Sequence, residues 1–262
     1  MSASAFASVL AGPPVGRRRI IFWRHGRTSW NAAGRFQGQT DIDLDDTGRA
    51  QADKSAALLA AVGPTRILSS DLARARDTAT ALANLTGLQV DTDQRLRETF
   101  AGSWEGLTFE EIGQRYPGDM LRWRQDDALV RAGGGETRVE VGERMRAAVL
   151  DSLSTLPSDG TLVLATHGGS ARVGIARLLG LPYQNWQALS GLANCNWSVV
   201  EELAFEETAP GQLIHAVGVE VTDIGAGDVG RPADAAAATQ IRWKLTEHNA
   251  GTLPEPATVQ EG

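Results

Sequence analysis

Two His-Gly dipeptides stand at matching places in the chain, and chemistry would sit there. Ile20-Ile21-Phe22-Trp23 runs into Arg24-His25-Gly26, and Thr161-Leu162-Val163-Leu164-Ala165 runs into Thr166-His167-Gly168-Gly169. Each apolar run is short and rich in β-branched or aromatic residues, so each reads as a buried strand. Ligands of open α/β sheets bind outside the carboxyl ends of the strands. Taken alone, Arg24-His25-Gly26 is a basic turn, with Gly26 permitting a sharp bend and a close ligand approach. A single strand-end histidine is ordinarily no more than a hydrogen-bonded one. Two of the chain's four histidines at equivalent positions reverse that reading. If the two strands are neighbours, both imidazoles enter one pocket, and Arg74, which follows a third strand at 66–69, can reach it.

Three chemistries compete for such a cluster. Zinc wants three or four ligands at recognisable spacing. His215 and His248 lie in unrelated contexts and no two histidines share a helix at i,i+4, so no metal is expected. A serine-type triad wants a Gly-x-Ser-x-Gly elbow, which is missing. Phosphoryl chemistry remains. Guanidinium forks match phosphate oxygens, and a neutral imidazole can attack phosphorus while donors neutralise the equatorial oxygens. The leaving alkoxide then needs a proton from a nearby acid. Glu98, in a loop from Arg95 to Gly106, is the best candidate; a solvated loop glutamate is the alternative.

The elements that must position these residues alternate between strand and helix. Asp45 is set to cap a helix running to about Ala61, and Ser70-Asp71 to cap another from Leu72 to Thr86, closed by Gly87. A third short strand is expected at 88–90. Short helices follow at 108–116 and 119–126, separated by Pro117-Gly118, then a Gly133-Gly134-Gly135 break and a long helix from Thr137 to about Leu156. A helix after His167 ends near Leu179, and strands are expected at 197–200 and 241–245. The polar stretch from Arg27 to Asp43 reads as a functional loop, and Arg17 to Arg19 as a solvated strand entrance. The pattern is that of an α/β protein: a three-layer α/β/α sandwich around a mostly parallel sheet. Residues 1–16 read as a disordered N-terminal tail. Residues 17–262 read as a single domain carrying a Gly/Ala/Asp-rich insert over 205–240, partly mobile, with a strand near 213–221.

Bulk properties exclude several classes. A hydrophobic share of 42% with 22% charged residues is that of a soluble globular chain. No apolar run approaches the ~20 residues that span a bilayer. A single cysteine, Cys195, excludes an internal disulfide framework and suits a reducing cytoplasm. The net charge of −7 argues against nucleic acid, although a cleft can still focus positive potential on a small anion.

These residues resemble a known family. Arg24-His25-Gly26, Asn31, Ser70-Asp71-Leu72-Ala73-Arg74-Ala75, Leu96-Arg97-Glu98 and His167-Gly168-Gly169, in that order, are similar to the histidine phosphatase superfamily, the phosphoglycerate-mutase-like clan. The resemblance implies a phosphohistidine intermediate on His25. It implies that Arg24, Arg74 and His167 clamp the phosphoryl group, that Asn31, Gln37 and Gly168 line its site, and that Glu98 is the proton donor and then the base for water. It implies neither metal nor organic cofactor. The stretch from Glu98 to Thr108 looks like the phosphatase branch. The mixed charge of Arg115, Arg122, Arg124 and Arg131 beside Glu110, Glu111, Asp119, Asp126 and Asp127 weighs the same way against a phosphoglycerate mutase. Stretches around Trp123, Gly133 to Val139, Trp186 and Trp243 resemble glucosyl-3-phosphoglycerate phosphatases, which implies a small phosphorylated metabolite as substrate and a homodimer. A broad-specificity sugar-phosphate phosphatase is the further alternative. Trp123, Trp186, Trp197 and Trp243 themselves are read as core or dimer-contact aromatics rather than sugar platforms.

Overall fold

The computed structural model describes residues 17–203 and 242–251; the expected tail over 1–16, the 205–240 insert and the strand expected inside it lie outside the described residues. Six strands form one sheet: β1 (Arg19–Arg24), β2 (Arg66–Ser69), β3 (Val90–Thr92), β4 (Thr161–Thr166), β5 (Trp197–Glu202) and β6 (Trp243–Ala250). Their order is β3-β2-β4-β1-β5-β6. The first four in that order are parallel, and β5 runs antiparallel to both β1 and β6.

The helices are α1 (Ser29–Ala32), α2 (Asp46–Ala60), α3 (Ala73–Thr86), α4 (Phe109–Arg115), α5 (Pro117–Arg124), α6 (Arg138–Leu153) and α7 (Gly168–Leu178). Side chains alternate across a strand, and here each face has its own core. Ile20, Phe22, Leu162 and Leu164 pack with Val141, Met145 and Val149 of α6 and Ala171 and Ile175 of α7. Ile21, Trp23, Val163 and Ala165 pack with Ala56 and Leu59 of α2 and Ala79 and Leu82 of α3. Coverage on both faces is why the strands are apolar without interruption. Each buried Ile, Leu, Val, Phe or Met contributes roughly 1.5–3 kcal/mol by leaving water, so the strand ends that follow are rigidly placed.

Local expectations met the tertiary structure with mixed results. Asp45 caps α2, its side chain accepting from the Gly48 N–H. Ser70-Asp71 does not cap α3. The N-cap is Leu72, and the carboxylate of Asp41, from the distant polar loop, accepts the Ala73 N–H at 2.8 Å. Asp71 pairs with Arg97 at 2.5 Å instead. Pro117 is not a break between helices but the first residue of α5, where its missing N–H costs nothing. The polar loop holds the short α1, closed by a capping box between Thr28 and Asn31. Arg18 and Arg19 are not solvated: Arg18 binds Glu202 through Nε and Nη2, both at 2.7 Å, and Arg19 is buried beside Glu201. Finally, β6 continues to Ala250 rather than ending at Leu245, because β5 supplies a partner that far.

Candidate active site

The register of β1 on β4 builds the site. Trp23 pairs with Ala165 and Arg24 with Thr166, so the residues that follow lie side by side. The rings of His25 and His167 have centroids 5.1 Å apart, with planes inclined at 63°. Both are buried.

The turn carrying His25 is fixed by its backbone. His25 donates its N–H to Thr166 O at 3.0 Å, and its carbonyl accepts from Cys195 N at 3.2 Å and Asn194 Nδ2 at 3.1 Å. Gly26 N donates to Thr78 Oγ1 at 3.1 Å. Gly26 does not line the cavity as expected. It is glycine because α2 presses on it: a Cβ there would meet Gly48 O at 2.3 Å. The imidazole itself is set by one contact. Nδ1 lies 2.7 Å from Gly26 O, and a carbonyl only accepts, so Nδ1 carries the hydrogen and Nε2 keeps its lone pair. Burial, then the charges of Arg74 and Arg24, hold His25 well below the usual 6.5, so the ring is neutral at pH 7.

Arg74, at the start of α3, is wholly buried. Its Nη2 donates to Gly38 O and its Nη1 to Thr40 O, both at 2.8 Å, and its Nε donates to His167 Nδ1 at 3.2 Å. The last bond fixes the tautomer of His167, whose protonated Nε2 faces Ser70 Oγ at 3.0 Å. The ring nitrogens of His167 thus meet Arg74 and Ser70, its ring lies edge-on to His25, and Arg74 and His25 line the cavity. The loop carrying Gly38 and Thr40 is tied down by Glu105, which accepts from Gln39 N at 3.0 Å and Thr40 Oγ1 at 2.6 Å. Burial lowers Arg74 to about 10, and lowers Arg24 as well, while Glu98 raises both; each stays charged at neutral pH. Arg24 donates Nη1 to Leu192 O at 2.6 Å and has no partner for Nε among the described residues.

Two amides complete this group. Asn31 Oδ1 accepts from Thr28 N at 3.1 Å and Asn194 Nδ2 at 3.2 Å. Thr28 Oγ1 accepts from Asn31 N and donates to Gln37 Oε1 at 3.0 Å. With their oxygens engaged, both side chains offer N–H donors. Glu98 sits opposite in character. One oxygen accepts from Thr99 N at 2.8 Å and Ser170 N at 3.0 Å, the other from Gly169 N at 3.0 Å, so the carboxylate rests on the first turn of α7. Its loop is gripped by Arg144 of α6, which donates to the carbonyls of Arg95, Arg97 and Glu98 at 2.6–2.9 Å and to Glu136.

Arg24, His25, Asn31, Gln37, Arg74 and Glu98 line a cavity of about 380 Å³, a size suited to a small metabolite. Gly168 lies outside the lining and Gly169 within it. A Cβ on Gly168 would meet Leu192 O at 2.9 Å and Arg24 Cδ at 3.3 Å, which accounts for the glycine by packing. The remaining lining is aromatic and basic, and includes Phe36, Phe109, Trp123, Arg138 and Arg172. Trp123 is therefore half-buried, packed against the core cluster around Trp104 while also forming a cavity wall, and Trp186, Trp197 and Trp243 are buried as expected.

Among the described residues no group of three or more His, Cys, Asp or Glu is placed to hold a metal ion. The buried Cys195 thiol is pushed up to about 12 by burial and is no nucleophile. What the cluster offers is a neutral imidazole lone pair, two guanidinium groups, two amide donors and a carboxylate around one space.

Residues 20–208 match the model of the histidine phosphatase superfamily, branch 1. The chain belongs to the histidine phosphatase superfamily. It is 45% identical over 186 residues, 69% of this chain and 82% of the relative, to a glucosyl-3-phosphoglycerate phosphatase of Mycolicibacterium vanbaalenii. It is 36% identical over 204 residues, 76% of this chain and 92% of the relative, to a Yersinia enterocolitica protein named "Probable phosphoglycerate mutase GpmB". Among solved structures, a mycobacterial glucosyl-3-phosphoglycerate phosphatase in complex with VO3 superposes with a TM-score of 0.73 at 37% identity. That match covers 89% of this chain and 100% of the other.

Several components of this histidine phosphatase's site have no sequence signal of their own. Asn194 and Leu192 reach His25, Asn31 and Arg24 across more than 160 residues of chain. Glu105 and Arg144 act through loop backbone, and no spacing rule finds such contacts. A capping-box pattern at Thr28-x-x-Asn31 was there to be read.

Proposed function

We propose that this chain is a phosphomonoesterase that works through a phosphohistidine on His25, with glucosyl-3-phosphoglycerate as its substrate. The observation that carries the reading is the bond from His25 Nδ1 to Gly26 O, which leaves Nε2 unprotonated beside Arg24 and Arg74. Nε2 attacks phosphorus, the ester P–O bond breaks, and Glu98, which enters this step as the protonated acid, gives its proton to the departing alkoxide and is left as the carboxylate. Glu98 then takes a proton from water, the water oxygen attacks phosphorus, the P–N bond breaks, and phosphate leaves with His25 neutral again. Arg24, Arg74, Asn31 and Gln37 meet the phosphoryl oxygens. His167 positions Arg74. The charge of the transition state is met by these side chains, so turnover is expected to survive EDTA.

The substrate assignment rests on the named relatives. The enzyme is proposed to act as a homodimer in the cytoplasm, which the single cysteine suits; no helix among the described residues is long and apolar enough to cross a membrane. The mutase relative favours one second reading, phosphate transfer between the hydroxyls of a phosphoglycerate. Phosphate release from glucosyl-3-phosphoglycerate and from 3-phosphoglycerate with a bisphosphate primer separates the two, since a mutase moves phosphate without releasing it. His25→Ala is expected to abolish turnover and acid-labile phosphate labelling together. Labelling that persists in that variant would remove His25 as the nucleophile.

A further inference from the structure

Beyond the phosphoryl group, the cavity holds a second cationic element that the proposed mechanism leaves unused. Arg172 follows Gly169 by three residues on α7, so the two share a helix face about 4.5 Å apart along the axis. Gly169 touches Glu98, the group beside the departing oxygen. Arg172 binds Asp126 through Nη2, and its buried Nε has no partner among the described residues. Asp126 is also shared with Arg138 at 3.4 Å. Arg138 places its Cζ 3.6 Å from the centroid of the Trp123 ring and donates to the carbonyls of Trp123 at 3.0 Å and Asp127 at 3.2 Å. Asp126 itself sits at a φ of 61°, in the left-handed region that aspartate enters more readily than most non-glycine residues. Beside the cavity, Arg138 and Arg172 thus share Asp126, and the nearby Asp127 is already paired with Arg122, so three guanidinium groups face two carboxylates. Burial, with the neighbouring Arg172 adding to it, lowers Arg138 to about 10, as expected of two cations held close together.

We infer that Arg172, braced by Asp126 and Arg138, is a carboxylate subsite that selects phosphomonoesters whose alcohol half carries an acid group. This rests on the phosphatase reading and deepens it. A phosphate ester seated on Arg24 and Arg74 directs its bridging oxygen to Glu98, and a carboxylate two carbons further on meets the next turn of α7. Arg172 lines the cavity, and a planar guanidinium fork suits a carboxylate better than a sugar hydroxyl. An uncharged alcohol would leave the excess charge unpaired, which gives selectivity as well as affinity.

The test compares two esters that differ in this group alone, 3-phosphoglycerate and glycerol 3-phosphate, by steady-state phosphate release from the full-length enzyme. The wild type is expected to prefer the acid in kcat/KM by roughly 10–100-fold, the scale of a charged hydrogen-bonded pair. Arg172→Gln should erase that preference by lowering the acid alone, chiefly through KM, while glycerol 3-phosphate changes less than about threefold. Asp126 keeps Arg138 in this variant, so the fold is expected to hold. Arg172→Lys, which retains the charge but not the fork, should recover some of the loss. A wild type that treats both esters alike overturns the subsite without any variant, and so does an equal loss on both esters in Arg172→Gln. A wild type that releases phosphate from neither ester nor from an aryl phosphate overturns the phosphatase reading itself.

Discussion

At the scale of single residues, the site is a set of protonation states fixed by hydrogen-bond partners. His25 is neutral because a carbonyl holds its one hydrogen and two arginines oppose a second. His167 is neutral because its Nδ1 accepts from Arg74, with burial, then Arg74 and His25, lowering it well below 6.5. Unfolded histidines take up protons as pH falls through about 6.5 while these two do not, so the unfolded state binds more protons there. Their contribution to stability is complete above pH 6.5 and is lost as pH falls below it. Thermal melts between pH 7 and pH 5 should show Tm falling, with a shallower fall in His167→Gln; an unchanged slope would remove that residue from the account. Glu98 is the other residue-scale prediction. Glu98→Gln keeps the shape and removes the transferable proton, so an alkyl phosphate should slow by roughly 10²–10⁴-fold. An activated aryl phosphate, whose leaving group needs no proton, should slow much less. Equal losses on the two would place the acid elsewhere.

At the scale of elements, each reacting group is held by a segment far from it in the chain. The turn after β1 is pressed by α2 with no room for a side chain on either partner. A Cβ on Gly48 would meet Arg27 O at 2.0 Å. Gly48→Ala should therefore cost about 1–3 kcal/mol, the usual penalty of overpacking, and displace His25; a variant with unchanged Tm and unchanged turnover would mean that α2 does not set that turn. The Glu98 loop is clamped by α6 through Arg144. Arg144→Met should slow the alkyl ester by up to about 10²-fold, as misplacing a reacting group by 1 Å does, with the aryl ester again spared. That leaving-group pattern separates a positioning role from simple loss of fold, which would lower both rates together.

At the scale of the whole molecule, an acidic chain with a net charge of −7 carries a cationic cavity. The two are compatible because the cations are buried and face one another across a small space, where fields are screened far less than at the surface. The cavity concentrates like charge, and an oxyanion relieves it. Inorganic phosphate or vanadate should thus raise Tm, by about 2.7 kcal/mol of stability at a concentration 100 times the dissociation constant. Calorimetry with and without phosphate checks this, and Arg74→Gln should lose most of the increment. A wild type whose Tm ignores both anions would argue against an oxyanion site at the sheet edge.

The sequence by itself determined the sheet edge and its reactive groups. Two continuous apolar runs ending in His-Gly read as buried strands whose ends would form one pocket if the strands were neighbours, and the pairing of β1 with β4 makes them so. The family follows from the same residues, since the order of Arg24-His25-Gly26, Arg74, Glu98 and His167 is itself the pattern. Only the tertiary structure decided what holds those groups and in which proton state. The Asp41 cap on α3, Arg144 on the Glu98 loop, Asn194 behind His25 and Gly48 against Gly26 are contacts between segments that no local periodicity links. The same is true of Trp123, read from the sequence as a core or dimer-contact aromatic: the fold packs it against the Trp104 cluster and also makes it a cavity wall beside Arg138 and Arg172. Apolar pattern and cap chemistry act within a few residues and can be read along the chain. Side chains that donate to a distant backbone carbonyl carry no such period, and their partners exist only once the layers have packed.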